Sequence, residues 1–179
     1  DPEERSLMCQ LGVLEAVRSG TTAILEDSTG IESYADALAA TGVRFLLTER
    51  AWDKAKGGIG EQGEFTLDRA LGQRCLESIE ALHRKRHGTA DGRISVGVSA
   101  WAPDMCSPGL LKDLRALQQK LGAVATIHLN QIWGEVAAVK SVGWLWLSSR
   151  STLRRNDQSP ILLPRVAEPC VPVKFLSVP

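Results

Sequence analysis

Apolar residues along the first 142 positions follow two patterns that alternate. In one pattern an apolar residue recurs every three or four positions, as in an amphipathic helix. It covers residues 4–19, 31–41, about 67–82, about 110–121 and 133–142. The other pattern is a short apolar run, typical of a strand that is buried on both faces. It covers residues 21–25, 43–47, 94–100 and 123–129. Strands that alternate with helices predict a parallel sheet, because each right-handed crossover places a helix on one sheet face.

Polar or aromatic residues follow each predicted strand at the point where the strand ends. Asp27 and Glu49 follow the first two strands, and Trp101 and His128 follow the next two. The carboxyl ends of parallel strands share one edge of the sheet, where α/β proteins build their binding sites. We therefore expect these four side chains to lie at the same end of the sheet.

A glycine-rich segment interrupts the alternation at residues 51–65. Its sequence matches neither of the two glycine motifs that bind phosphate, so we interpret it as a flexible polar surface loop.

Two histidines, His83 and His87, are four positions apart near the end of the long predicted helix. That spacing can hold a metal ion. The basic residues 84–86 between them repel a cation, and positive side chains are favoured at a helix carboxyl end. We therefore interpret the pair as structural.

Composition narrows the class of protein. The 179 residues include 21 Lys and Arg and 21 Asp and Glu, so the net charge is zero. A neutral chain gives no reason to propose a nucleic acid or an anionic membrane as partner. No apolar run approaches the ~18 uncharged residues of a membrane span. The four cysteines are far apart and form no CxxC motif, which favours a reducing cytoplasm over a disulfide framework.

The pattern ends near residue 142. Residues 143–179 have no helical periodicity and are rich in proline. We interpret residues 1–142 as one domain and residues 143–179 as an irregular tail, with a shifted reading frame near Val142 as the favoured explanation and a genuine extension as the alternative. The opening Asp-Pro-Glu-Glu reads like the start of an excised piece.

Three motifs in register carry a resemblance to a known family. Gly20–Asp27 resembles the "SGTTTVxD" second strand of the amidohydrolase superfamily. Trp101–Leu111 resembles the "APHAPYTCSxELL" segment after its fourth strand, and Ala125–Gln131 resembles its "xxHIHLAE" fifth strand. The similarity is to the chlorohydrolase and aminohydrolase branch, which includes triazine hydrolases and guanine- or adenosine-type deaminases. It extends over about residues 3–142.

The resemblance implies a (β/α)8 barrel that holds zinc or iron. His128 matches the metal ligand of strand five. Without the resemblance, a structural histidine at a strand end is the simpler interpretation. The metal lowers the pKa of a bound water to ~7, and the resulting hydroxide attacks a carbon that bears an amine, an amide or a halide. We take the remaining strand-end residues as candidate substrate-binding residues: Glu49, Arg50, Trp101 and Asn130.

The sequence departs from the family pattern at two positions. Gln131 replaces a Glu that shuttles protons in the deaminases. A carboxamide cannot accept and return a proton, although it can orient a substrate. We therefore assign Gln131 to the catalytic position but do not expect it to transfer a proton. Trp101 stands in place of the strand-four His and Tyr. It either stacks on a flat heterocycle or closes the mouth of the barrel.

The metal-binding HxH pair of strand one is absent from this sequence. A full barrel also needs ~250 residues. We therefore predict a partial barrel with strands two to five, from a hydrolase acting on carbon–nitrogen or carbon–halogen bonds of a small heterocycle. We expect the isolated chain to be inactive, to retain no metal and to be aggregation-prone unless a second copy or the tail covers its edges. The alternative is an open-sheet α/β module that binds a small molecule without catalysis, in which the strand order would reverse.

Overall fold

A computed structural model gives the fold, and it describes residues 1–58, 66–129 and 131–141. The four strands are β1 Ala23–Ser28, β2 Arg44–Ala51, β3 Ile94–Ala100 and β4 Ala125–Ile127. The helices are α1 Pro2–Arg18, α2 Ala35–Ala40, α3 Arg69–Arg86, the short turn α4 Thr89–Gly92, α5 Pro108–Leu121 and α6 Glu135–Ser141. A 3-10 turn, Ile31–Ser33, precedes α2.

The ends of the longer helices follow from capping residues. Asp68 accepts a hydrogen bond from the Leu71 amide at the start of α3, and Ser107 does the same for Leu110 at the start of α5. Gly122 ends α5 with φ at +61°, a left-handed conformation that glycine adopts at little cost.

The sheet has the order β1-β2-β3-β4, and every neighbouring pair is parallel. This confirms the predicted sheet, and the sequential order is that of a half-barrel rather than of a sheet with a reversal point. Asp27 and Glu49 lie in the last part of their strands, and Trp101 and His128 directly follow theirs. The expectation that all four residues share one end of the sheet is confirmed.

The strand register divides the side chains between two faces of the sheet. Arg50 pairs with Ser99, and Ser99 pairs with Thr126. Asp27 pairs with Thr48, two positions before Arg50 on the same face. We call this side the inner face. The alternate residues, such as Leu47 and Val96, face the helices on the outer face.

Two apolar clusters fill the space between the outer face and the helices. The first joins α1 and α2 to the strands and includes Ile31, Tyr34, Leu38, Leu47 and Val96. The second joins α3 and α5 to β3 and includes Ile79, Val98, Leu110, Leu114 and Leu117. The apolar residues Leu110, Leu114 and Leu117 of α5 are buried, because this helix has both β3 and α3 beside it.

Helix α1 carries a stripe of apolar side chains that the described residues leave uncovered. Leu7, Leu11 and Leu14 are 66%, 51% and 56% exposed, while Val13 on the other side of the helix is buried. This helix contacts α2, and its Arg5 side chain donates hydrogen bonds to Ser28 and Thr29 at the end of the edge strand β1. One side of the helix therefore faces solvent although its residues are apolar.

Gly97 allows strand β3 to lie close to Val124, the residue before β4. A Cβ atom at Gly97 would lie 2.8 Å from the Val124 carbonyl oxygen and 2.9 Å from Thr48 Cγ2. Both distances are shorter than real contacts, so a larger residue would push these strands apart.

The segment after β2 differs from the predicted flexible loop. Strand β2 continues to Ala51, and Asp53 and Lys54 are buried. The Asp53 carboxylate accepts hydrogen bonds from the amide and the hydroxyl of Ser107, which holds this segment against the start of α5. Residues 59–65, Asn130, Val142 and the predicted tail 143–179 lie outside the described residues. In the described part of the chain, no helix is long and apolar enough to cross a membrane.

Candidate functional site

The carboxyl end of the sheet brings together one side chain from each strand end. Asp27 comes from β1, Arg50 from β2, Trp101 from the end of β3 and His128 from the end of β4. Asp27 Oδ2 contacts His128 Nε2, although β2 and β3 separate their strands. A flat sheet would keep these side chains apart, so the contact reflects the curvature of the half-barrel around its inner face.

Arg50 completes a charged group with this pair. Its Nε lies 3.6 Å from Asp27 Oδ2, and its guanidinium carbon lies 5.9 Å from the centre of the Trp101 ring. The Asp27 side chain is 9% exposed, whereas those of Arg50 and His128 are 28% and 32% exposed. The carboxylate is therefore at the base of the group, with the two nitrogen-bearing side chains nearer to solvent.

Trp101 is held at the edge of the sheet by its backbone and its ring. Its amide donates to the Ala51 carbonyl at 2.9 Å, and its carbonyl accepts from the His128 amide at 3.4 Å. Its ring meets Trp52 edge to face, with 5.2 Å between centres. The ring is thus placed beside Arg50 and Trp52, at the edge where it can contact a flat ligand.

Glu49 lies on the outer face, one position from Arg50, and its contacts are structural. Its two oxygens accept hydrogen bonds from the backbone amides of Gly30 and Ile31, at 2.6 and 3.0 Å. The side chain fixes the turn that follows β1. These contacts occupy both oxygens on the side of the sheet away from Asp27. The substrate-binding role of Glu49 stays a prediction.

Of the two predicted site residues after His128, only Gln131 lies within the described part of the chain. Asn130 lies outside the described residues. Gln131 is exposed, and its backbone amide donates to Glu135 Oε2 at 2.8 Å. Glu135 is buried at the start of α6, so a carboxylate fixes the backbone at the position where the family pattern has its Glu.

Buried polar atoms are concentrated on the inner face near this group. Five of them make no hydrogen bond to the described residues, namely Asp27 Oδ1, Arg50 Nε, Ser99 Oγ, Thr126 Oγ1 and His128 Nε2. Such atoms usually have a partner in a native protein, either an ordered water, an ion or a ligand. The inner face therefore carries polar atoms that could bind a water, an ion or a ligand.

The cysteine near this edge is not a reactive group. Burial, with a smaller contribution from the nearby charge of Asp53, raises the pKa of Cys106 to about 12. Its sulfur lies 3.2 Å from the Ala51 carbonyl oxygen. At neutral pH the group is an uncharged thiol, which is neither a nucleophile nor a metal ligand.

His83 lies near the end of α3 and His87 directly follows this helix, away from this edge. Their rings stack with 4.4 Å between centres, and His87 Nδ1 accepts a hydrogen bond from the Val96 amide at 3.1 Å. Burial lowers the pKa of His83, and the neighbouring His87 adds to this effect. These contacts place the pair in the packing of α3 on β3.

The described residues fit part of a zinc site. Imidazole nitrogen and carboxylate oxygen are both zinc donors, and His128 and Asp27 each bury one such atom without a hydrogen bond. Catalytic zinc takes about three protein ligands, however. Among residues 1–58, 66–129 and 131–141, no group of three or more His, Cys, Asp or Glu side chains is placed to hold a metal. This part of the chain does not complete a metal site.

Asp27 is the member of the group to which sequence reasoning gave no role. It was expected at the correct end of the sheet, but its partner depends on the curvature of the sheet. The available signal was a carboxylate near the carboxyl end of a strand, as Arg50 and His128 also are.

Comparison with known proteins identifies similar sequences. The profile of the amidohydrolase family matches residues 1–144. A 5-methylthioadenosine/S-adenosylhomocysteine deaminase of Carboxydothermus hydrogenoformans is 29% identical over 131 residues, which are 73% of this chain and 27% of that protein. The enzyme of the same name from Thermococcus kodakarensis is 30% identical over 138 residues, 77% of this chain and 30% of that protein. The chain thus spans less than a third of the length of these relatives.

Solved structures share the fold at low sequence identity. A zinc-bound adenosine deaminase from Xanthomonas campestris matches with a TM-score of 0.63 and 20% identity, over 84% of this chain and 32% of that chain. A zinc complex of atrazine chlorohydrolase from Arthrobacter aurescens TC1 matches with a TM-score of 0.59 and 14% identity, over 80% of this chain and 36% of that chain.

Proposed function

Because the chain belongs to the amidohydrolase family, we propose that it supplies four strands of the catalytic barrel of a metal-dependent hydrolase. The bond that is broken is a carbon–nitrogen bond outside a peptide, or a carbon–halogen bond, in a small heterocyclic substrate. The observation that carries this proposal is the convergence of Asp27, Arg50, Trp101 and His128 at the carboxyl end of the sheet. That end is where barrels of this architecture place their chemistry.

Three residues of the group have proposed roles that their positions support. His128 is one ligand of a divalent metal, zinc or iron, with the other ligands supplied from outside the described residues. When bound, such a metal makes hydroxide available at neutral pH. Trp101 and Arg50 contact the substrate, the first through the face of its ring and the second through its guanidinium group. Asn130 follows His128 by two positions and is kept as a substrate-binding residue.

Amine-bearing heterocycles are the favoured substrates. The relatives that are about 30% identical to this chain over the aligned residues are named as deaminases of adenosine derivatives. Gln131 limits this chemistry, because its amide orients a group without carrying a proton. We propose that Gln131 holds the substrate and that another group transfers the proton.

We place the protein in the cytoplasm. Cys9, Cys75 and Cys106 are free thiols, as is usual in a reducing compartment.

A metal titration of the 179-residue chain tests the assignment of His128. We expect Zn²⁺ to bind no more tightly than micromolar, since two donors supply a small part of the ~10–16 kcal/mol of a full zinc site. His128→Gln should abolish this binding in a calorimetric titration. His83→Gln is the matched control and should leave it unchanged, because His83 lies away from the group.

The same samples should hydrolyse neither aminated nor chlorinated heterocycles. Zinc binding that persists in His128→Gln would remove His128 from the metal site and contradict the proposal. Tight stoichiometric zinc in the unmodified chain would contradict the ligand count on which the expected weakness depends.

A further inference from the structure

We propose that His83 and His87 form an acid-sensitive clamp, in which the neutral His87 ring holds the end of α3 against β3 and protonation of the rings releases it. Two contacts carry this inference. His87 Nδ1 accepts a hydrogen bond from the Val96 amide at 3.1 Å, and the two rings stack with 4.4 Å between their centres. The clamp does not depend on the proposed function, because neither histidine belongs to the group around His128.

The His87 ring takes the place of a strand carbonyl beside β3. Strand β4 pairs with β3 only from Val98 onward, and the Val98 amide donates to the Val124 carbonyl at 2.8 Å. The Val96 amide lies two positions earlier on the same side of β3, before the paired part of β4 begins. Val96 is 1% exposed, and a buried amide needs an acceptor. The His87 ring provides that acceptor.

Protonation removes this acceptor and adds positive charge to the stacked rings. Nδ1 of a protonated imidazole carries a hydrogen atom, so it cannot accept from the Val96 amide. His83 Nε2 is buried and makes no hydrogen bond to the described residues. Burial lowers the pKa of His83, with a further contribution from His87. Two positive rings at the stacking distance would also repel each other.

The carboxylates around this end of α3 do not neutralise the pair. Within the described residues they bind other cations, in the pairs Glu32 with Lys85 and Arg86, Asp36 with Arg86, Glu80 with Lys120 and Asp91 with Arg93. Arg84 adds positive charge between the histidines, and β3 has no titratable side chain. The folded chain therefore disfavours the protonated pair, whereas a histidine in an unfolded chain takes up a proton at a pH of about 6.5. The clamp is stable above this pH and is lost as the pH falls below it.

The clamp also supports a strained turn. Ala90 and Asp91 in the turn α4 have φ angles of +53° and +55°, a left-handed conformation that costs energy in residues other than glycine. The turn joins the end of α3 to β3, so contacts across its base hold it in place. The Gly88 amide donates to the Ile94 carbonyl at 2.8 Å, and the bond between the His87 ring and β3 lies beside it. Loss of the ring contact removes part of this support, so we expect the turn to loosen in acid.

Amide hydrogen exchange of the 179-residue chain tests the proposal at single residues. NMR would give the protection factors of the Val96 and Val98 amides at a pH of about 8 and of about 5, on either side of the histidine range. Each factor is corrected for the intrinsic exchange rate. Val98 is the matched internal control, because its acceptor is a backbone carbonyl that does not titrate. We expect the ratio of the Val96 factor to the Val98 factor to fall about tenfold in acid, the size expected for the loss of one hydrogen bond.

Two variants identify the acceptor. His87→Phe keeps an aromatic ring but has no ring nitrogen, so the ratio should be low at both pH values. His83→Gln keeps the acceptor, so its ratio should still fall in acid. The proposal is overturned if the ratio in the unmodified chain is the same at both pH values, which includes an equal loss at both amides through global unfolding. This outcome needs no variant, so misfolding cannot obscure it. A folded His87→Phe protein with the ratio of the unmodified chain at the higher pH would also overturn the proposal.

Discussion

Replacing Glu49 by alanine is expected to lower the free energy of unfolding by about 3 kcal/mol, because two backbone amides lose a charged acceptor. The Gly30 and Ile31 amides donate to this carboxylate at 2.6 and 3.0 Å. Ile31 is fully buried, so its amide has no access to water after the change. An unsatisfied buried donor costs about 1–3 kcal/mol, which sets the size of the effect.

Urea unfolding followed by circular dichroism measures this loss. Glu49→Gln retains one acceptor oxygen and should lose roughly half as much stability as Glu49→Ala. Glu77→Ala is the control, because Glu77 is an exposed carboxylate on α3, and its removal should change stability by less than about 0.5 kcal/mol. Equal stabilities for Glu49→Ala and the unmodified chain would show that the turn after β1 does not depend on this carboxylate.

Replacing Leu11 and Leu14 together by glutamine is expected to convert self-associated chain to monomer without lowering its melting temperature. These residues are 51% and 56% exposed on α1, at the edge of the described sheet. An exposed apolar stripe favours association, because covering it removes apolar surface from water. Polar replacements remove that driving force while leaving the packed side of the helix unchanged. Light scattering with size-exclusion chromatography gives the mass of the species.

Val13→Ala on the same helix is a control with the reverse expectation, a loss of stability without a change in association. Val13 is 6% exposed, so its truncation should cost about 2 kcal/mol of stability and leave the association unchanged. If the double glutamine variant and the unmodified chain have the same mass distribution, the stripe of α1 does not drive association.

The order and direction of the strands could be predicted because they follow from local patterns. Apolar runs separated by amphipathic helices leave few arrangements other than a parallel sheet in chain order. The ends of the strands were less predictable. Strand β4 was expected over residues 123–129 but spans only Ala125–Ile127, and β1 begins at Ala23 rather than at residue 21. An apolar run therefore shows that a strand is present but does not fix where pairing starts and stops.

The sequence predicted the edge of the sheet at which the site residues lie. It did not predict on which face of the sheet each side chain is found. Glu49 and Arg50 are neighbours at the end of β2, and side chains alternate between faces along a strand. The sequence shows both as charged strand-end residues. The structure separates them, with Arg50 beside Asp27 on the inner face and Glu49 bound to backbone amides on the outer face. The contact between Asp27 and His128 depends on sheet curvature, which no local pattern contains.

The most direct test of the central claim, that the His128 edge is part of an amidohydrolase metal centre, is a chimeric enzyme. In the Thermococcus kodakarensis deaminase, the 138 aligned residues would be replaced by their counterparts from this chain. Versions with Gln131, with Gln131→Glu and with His128→Gln would be compared for zinc content and deamination rate.

We predict equal zinc content in the Gln131 and Gln131→Glu versions. Deamination should be about 10²- to 10⁴-fold faster with the glutamate, as expected for a general acid–base group. His128→Gln should lose the zinc. A chimera that melts cooperatively but holds no zinc, or that keeps its zinc in the His128→Gln version, would contradict the assignment of this edge to the metal centre.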